Sequence, residues 1–142
     1  MNKKRWIVVF VLAVAAALCI FIFPRKAERV LDLSQEKVES IFVTTTKGTD
    51  DPQRHTTTDK EEIAAAMALL RELQAKRTFD DNSVTILNDA YNAKIDLAYV
   101  HGAARFEVGE WGWLRYREQN YMAQDSAVTK ELLELVKSWK IS

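Results

Sequence analysis

The stretch AKIDLAYVHGAARFEV, residues 93–108, alternates apolar and polar side chains on both sides of a central His101-Gly102 pair. This period of two is typical of a half-buried strand, and the His-Gly pair is typical of a turn. The stretch therefore predicts a β-hairpin with strands at residues 93–100 and 105–108. The apolar side chains that face the core are Ile95, Leu97, Tyr99, Phe106 and Val108.

The segments around this hairpin add further strands and two helices. Asp59 followed by Glu62 resembles a capping box, and the apolar spacing after it predicts a helix that continues to about Arg77. Asp125 or Ser126 is predicted to cap a C-terminal helix. Period-two patterns predict strands at residues 38–46, 54–58, 84–86, 113–117 and 121–123.

The strands occur in hairpins rather than singly between helices, which favours an α+β fold. The predicted order is β-β-α-β-β-β-α, with two helices packed on one face of an antiparallel sheet. An N-terminal transmembrane helix precedes this domain.

Residues 6–23 form an unbroken apolar run with basic residues on both sides. As a helix the run spans about 27 Å, close to the hydrocarbon thickness of a bilayer. It predicts an uncleaved membrane anchor in residues 1–26 and an extracytoplasmic α+β domain in residues 27–142, joined through a charged tether at residues 25–32. The alternatives are a signal peptide cleaved after Ala17 and a lipoprotein linked through Cys19, whose preceding residue is the bulky Leu18.

Charge sets the expected orientation. Lys3, Lys4 and Arg5 place the N-terminus in the cytoplasm, so the predicted location is the cell membrane, single-pass, with the C-terminal domain extracellular. All twenty acidic residues follow Ala27, whereas five of the twenty basic residues precede it. The domain is therefore mildly acidic, which excludes nucleic acid as the expected partner.

Cys19 is the only cysteine. Because it lies in the apolar run, the predicted domain has no disulfide, thiolate metal site or cysteine nucleophile. Small secreted domains are often rich in disulfides, so their absence favours a bacterial exported protein.

The chain resembles a family of small exported or membrane-anchored Firmicute domains of unknown function. The resemblance rests on Lys37-Val38-Glu39-Ser40-Ile41-Phe42-Val43, on Thr58-Asp59-Lys60-Glu61-Glu62-Ile63, and on Tyr116, Asn120 and Tyr121 before Glu131-Leu132-Leu133. It covers most of residues 33–136 and implies a membrane or signal segment ahead of the domain. It implies no activity and no functional residue.

The sequence predicts no catalytic, metal or cofactor site. His55 and His101 are the only histidines, and no metal-binding spacing such as HExxH includes them. The Asp80-Asp81-Asn82 segment resembles the start of a calcium loop, but Thr85 stands where that loop needs glycine. No serine lies in a G-x-S-x-G turn. These absences favour a protein that is not an enzyme.

A candidate binding surface comes from the aromatic and basic stretch at residues 109–121. Exposed aromatic rings beside arginines suit a protein or sugar ligand, because flat rings bury much area at little entropic cost. The alternative is core packing, in which Leu114 and Tyr116 face inward and the arginines lie on a solvated face. Of the two tryptophans, Trp113 is expected to be buried and Trp111 exposed. The candidate residues are Trp111, Arg115, Arg117 and Tyr121.

The predicted function is a membrane-anchored extracytoplasmic binding or sensing module. Its expected partners are the membrane through the N-terminal helix, and an envelope protein or cell-wall glycan through the domain. An envelope enzyme and a surface immunity or structural protein are the alternative functions.

Overall fold

The computed structural model describes residues 2–78 and 90–141, of which Arg25 onward build an α+β fold around one sheet. Within these residues the strands are β1 (Arg25–Lys26), β2 (Val38–Lys47), β3 (Gln53–Thr57), β4 (Gln74–Thr78), β5 (Tyr91–Tyr99), β6 (Gly102–Gly109), β7 (Trp113–Tyr116) and β8 (Gln119–Ala123). The helices are α1 (Lys3–Ile22), α2 (Ala27–Val30), α3 (Lys60–Glu72) and α4 (Ser126–Lys137).

These strands form one antiparallel sheet in the order β1-β4-β8-β7-β6-β5-β2-β3. The predicted hairpin is confirmed as β5 and β6, where Ile95 pairs with Phe106 and Leu97 pairs with Ala104. All four side chains are buried. The alternation therefore places one face of the sheet on the core, as the sequence predicts.

The helices α3 and α4 lie together over this face and close the core. Asp59 caps α3 by accepting hydrogen bonds from the backbone N–H groups of Glu61 and Glu62, at 2.9 and 3.0 Å. Asp125 caps α4 through the N–H of Ala127, at 2.9 Å. The α+β class with an antiparallel sheet is therefore confirmed.

The helix α3 ends at Glu72, so the prediction that it continues to about Arg77 is wrong. Leu73 takes an extended conformation, and the next residues form β4 with a buried Ala75. Pairing of β4 with β8 satisfies backbone groups that a longer helix would satisfy internally, so tertiary pairing overrides helix propensity here. The predicted strand at residues 84–86 lies outside the described residues.

Residues 25–32 belong to the fold rather than to a tether. The strand β1 pairs with β4, and the Ala27 N–H donates to the Leu73 carbonyl at 2.8 Å. Ala27 and Leu31 are fully buried. The predicted charged tether is therefore wrong, because its apolar residues Ala27, Val30 and Leu31 are buried in the core.

The predicted transmembrane helix is also wrong. Residues Lys3–Ile22 do form the helix α1, but its first turn carries three basic residues. Within residues 2–78 and 90–141, no helix combines the length and apolar character required to cross a membrane. The predicted single-pass anchor and the predicted cell-membrane location with an extracellular domain are therefore wrong as well.

The other face of the sheet holds Trp113. Its neighbour Leu114 faces the core, so Trp113 points away from the helices, yet it is only 2 % exposed. The indole lies directly against the backbone of Gly109 in the adjacent strand. This face is polar around Trp113, which lines a small cleft with Thr44, Thr46, Asn92, Lys94 and Glu107.

Candidate functional site

A groove of about 600 Å³ lies between α3 and the segment that leads into β2. We call residues 33–39 the entry segment, and we call this cavity the groove. Capping by Asp59 fixes where α3 begins, and the start of β2 fixes the opposite wall. The volume is in the range of small-molecule and peptide sites, about 300–1,000 Å³.

The floor of the groove is apolar. Val38, Ile63 and Met67 are buried beneath it, and Leu33 packs partly against the same core. Floors of this kind supply binding energy through apolar burial, whereas polar groups at the rim supply specificity.

The rim of the groove carries opposite charges on its two walls. On α3, Lys60, Ala64, Met67 and Arg71 follow one helical stripe, so basic residues stand at both ends of that wall. The entry segment together with α2 contributes Glu28, Glu36 and Glu39 against a single base, Lys37. The α3 wall is therefore basic and the opposite wall is mainly acidic.

Glu36 holds the entry segment to the β5–β6 turn. Its carboxylate accepts a hydrogen bond from the His101 backbone N–H at 3.2 Å and lies 3.1 Å from His101 Nδ1. Within the entry segment, the Glu36 N–H donates to the Ser34 hydroxyl at 3.1 Å. These contacts, all within the chain, fix the wall opposite α3.

A second cleft of about 420 Å³ lies on the other side of the entry segment, at the tips of two hairpins. Tyr99 forms part of its wall. Burial raises the pKa of the Tyr99 hydroxyl, the nearby backbone of Ser34 opposes that rise, and the charge of Glu36 adds to it. Arg117 stands at the cleft with its guanidinium above the Tyr116 ring and 4.0 Å from the Asp32 carboxylate.

The turn that carries Arg117 is strained. Arg117 and Glu118 have φ angles of 48° and 64°, the left-handed region, and Asp32 across the cleft has 51°. A two-residue hairpin turn with both φ angles positive normally contains Asn-Gly or a similar pair. Arg-Glu at these positions costs on the order of 1–2 kcal/mol per residue.

We expect Glu118→Gly to stabilise the fold by about 0.5–1 kcal/mol. Glycine removes the Cβ that opposes a positive φ, although it also adds entropy to the unfolded chain. Urea unfolding followed by circular dichroism measures the change. Gln124→Gly, at an exposed residue without a positive φ, is the control and should lower stability. A loss of stability in Glu118→Gly would contradict the conclusion that the backbone of this turn is strained.

The structure separates the four candidate residues predicted from the sequence. Trp111 lies exposed in the β6–β7 turn, Arg115 is exposed on the face away from the helices, and Arg117 stands at the second cleft. Tyr121 is 6 % exposed and pairs with Leu114 on the core face. Trp111, Arg115 and Arg117 are thus presented in different directions, and none of the four lines the groove.

The two histidines occupy different regions. His55 is buried in β3, with Nδ1 3.4 Å from the Trp139 carbonyl, whereas His101 is exposed beside Glu36. In the described ranges, no three histidine, cysteine or acidic side chains come together as a metal site would require.

No protein-family model, curated protein or solved structure matches this chain. The resemblance to Firmicute domains of unknown function therefore stays a prediction.

Sequence reasoning missed the groove, although one signal for it was available. The apolar face of α3 is interrupted along one stripe by Lys60, Ala64 and Arg71. Such a stripe marks a helix edge that does not pack on the core.

Proposed function

We propose that this chain is a binding module and that its ligand occupies the groove. The observation that carries the proposal is the preformed apolar floor between two walls of opposite charge. Such a floor favours ligand burial, and charged walls favour ligands with charges in a matching arrangement. The proposal keeps the predicted class of function, without its membrane anchor, and moves the site away from residues 109–121.

A catalytic role finds less support at this position. General acid–base chemistry needs an acid or base held by a partner within the pocket. Glu36 is held, but by a turn outside the groove. Its contacts stabilise the wall rather than direct a proton toward a bound substrate.

The test compares two tryptophan variants on the same helix. Ala64 and Ala65 are both exposed on α3, but only Ala64 lines the groove. We expect Ala64→Trp to fill the groove and weaken ligand binding at least about tenfold, because a buried ligand loses contact area. Ala65→Trp should bind as the unchanged chain does.

Ligands for this test come from screening the full chain against random peptides and soluble glycans by thermal shift and titration calorimetry. Circular dichroism melts of both variants confirm that the fold is retained. Ligands of either chemistry that bind the Ala64→Trp variant with full affinity would show that the site lies elsewhere.

A further inference from the structure

We propose that the cleft beside Trp113 is a second binding site, for a small neutral polyol such as a free sugar or a sugar alcohol. This cleft, which we call the Trp113 cleft, has a volume of about 180 Å³. It lies on the face of the sheet away from the helices, whereas the groove is bounded by α3. The two sites are therefore separate and can be tested independently.

Cross-strand pairing brings the polar groups of the Trp113 cleft together. Thr46 on β2 and Gly109 on β6 lie on either side of Asn92 on β5. Because Gly109 has no side chain, the Trp113 indole occupies the space above it, with Nε1 against the glycine. The indole nitrogen therefore stands beside the Asn92 side chain, as in a cross-strand pair. Both residues line the cleft.

Two buried polar atoms of this cleft have no hydrogen-bond partner among the described residues. They are Asn92 Oδ1 and Trp113 Nε1, and the two residues are only 6 % and 2 % exposed. The amide orientation follows from Asn92 Nδ2, which donates to the Ala90 carbonyl at 3.2 Å. Turning the amide over would place two oxygens against each other. Buried polar groups in native proteins almost always have partners, so this pair indicates a bound molecule.

The two atoms together specify a hydroxyl group. An indole N–H only donates a hydrogen bond, and an amide oxygen only accepts one. A hydroxyl accepts from Trp113 and donates to Asn92 at the same time. A carboxylate has no proton for the amide oxygen, and an ammonium group has no lone pair for the indole.

The size of the cleft favours a ligand of several atoms. A single water molecule would also bridge the two polar atoms, but it would fill only a small part of about 180 Å³. Thr44 and Thr46 line the same cleft and carry further hydroxyl groups, while Pro52 adds an apolar edge. A ligand with several hydroxyl groups on a short carbon skeleton, up to about one sugar ring, matches these walls.

The charges at the cleft favour a neutral ligand. Lys94 Nζ lies 3.8 Å from Glu107 Oε1, so the two side chains largely neutralise each other. Neither offers a free charge to an ionic ligand. Lys94 still has protons to donate to hydroxyl groups, and Glu107 still has lone pairs to accept from them.

Trp139 shows that an unpartnered indole alone does not make a site. Its Nε1 is also buried without a partner in the described ranges. The void beside Trp139, however, is only about 10 Å³ and is lined by apolar residues of the core. It has no room for a ligand, so Trp139 serves as an internal control for Trp113.

The experiment follows the indole N–H signals of the four tryptophans by NMR, in the full isotope-labelled chain. The chain is titrated with glucose and N-acetylglucosamine as sugar rings, and with glycerol and sorbitol as linear polyols. We expect at least one of these to shift the Trp113 signal and to saturate it below about 100 mM, whereas the Trp139 signal stays in place. The more tightly bound group identifies a ring or a linear polyol as the ligand.

Three variants locate the binding. Thr44→Tyr fills the cleft with a residue that suits a strand, and it should abolish the saturable shift. Phe42→Tyr is the matched control, because Phe42 is exposed on the same face of β2 but does not line the cleft. Asn92→Ala removes the acceptor and should weaken binding about tenfold. Circular dichroism melts confirm that each variant is folded.

Several results would overturn the proposal. One is an equal shift of all the indole signals without saturation, which shows only an effect of the solvent. Another is a Trp113 signal that responds to Asn92→Ala but to no polyol, because the two groups then bond to each other. Unchanged affinity in Thr44→Tyr, or gluconate bound as tightly as sorbitol, would also contradict it. None of these results bears on the groove, which Ala64→Trp tests separately.

Discussion

Replacing Trp113 with alanine is expected to destabilise the fold by about 3–5 kcal/mol, the range for a buried tryptophan truncated to alanine. The side chain is 2 % exposed although it lies on the face away from the helices. Its indole covers the backbone of Gly109 and closes one end of the cleft formed with Thr44 and Asn92. The truncation leaves a cavity at that end of the cleft.

Trp111 is the matched control. It is 55 % exposed in the β6–β7 turn, which is closed by a backbone hydrogen bond from the Gly112 N–H to the Gly109 carbonyl at 3.0 Å. That bond does not depend on the Trp111 side chain, so Trp111→Ala should change stability by less than about 1 kcal/mol. Urea melts of the two variants measure the difference. Equal losses of stability in the two variants would contradict the exposed position of Trp111 in this turn.

Gly109→Ala is expected to destabilise the fold by about 1–3 kcal/mol, because it overpacks the contact with Trp113. A Cβ added at Gly109 would lie 2.1 Å from Trp113 Nε1 and 2.5 Å from two ring carbons. The indole is rigid and buried, so either the ring or the strand has to move. Glycine in a strand often marks such a close approach.

A double-mutant cycle isolates this contact. In the Trp113→Ala background the ring is gone, so Gly109→Ala should cost much less than it does alone. Gly102→Ala measures the cost of backbone strain without a collision. Its added Cβ would meet no atom within 4 Å, but the φ of 114° disfavours alanine. Additive costs for Gly109→Ala and Trp113→Ala would exclude the collision.

The sequence predicts those parts of the fold in which periodicity and burial agree. The hairpin at residues 93–108 has an apolar side chain at every second position, so its strands and its buried face follow directly. The segment at residues 73–78 has no such pattern. Only Ala75 is buried in β4, and one small residue does not distinguish a strand from a helical end.

The groove as a whole could not be predicted from the sequence, because its walls are distant in the chain and only the α3 wall carries a signal. The entry segment and α3 meet only after β2 and β3 pair. The candidate residues within 109–121 were predicted only from their aromatic and basic side chains. The position of Tyr121 on the core face depends on its pairing with Leu114, which residue types do not reveal.

The order of strands has a consequence for the length of α3. The helix connects β3 at one edge of the sheet to β4, six strand positions away. Six spacings of about 4.8 Å give about 29 Å across a flat sheet. The 13 residues of α3 account for about 20 Å. Three extended residues, 58, 59 and 73, supply the remaining ~10 Å.

The chain between β3 and β4 therefore crosses most of the width of the sheet. Both ends of α3 are fixed to this one sheet, because Asp59 caps the helix directly after β3 and β4 begins at Gln74. A ligand would meet walls that are already in place and would lose little free energy in ordering them.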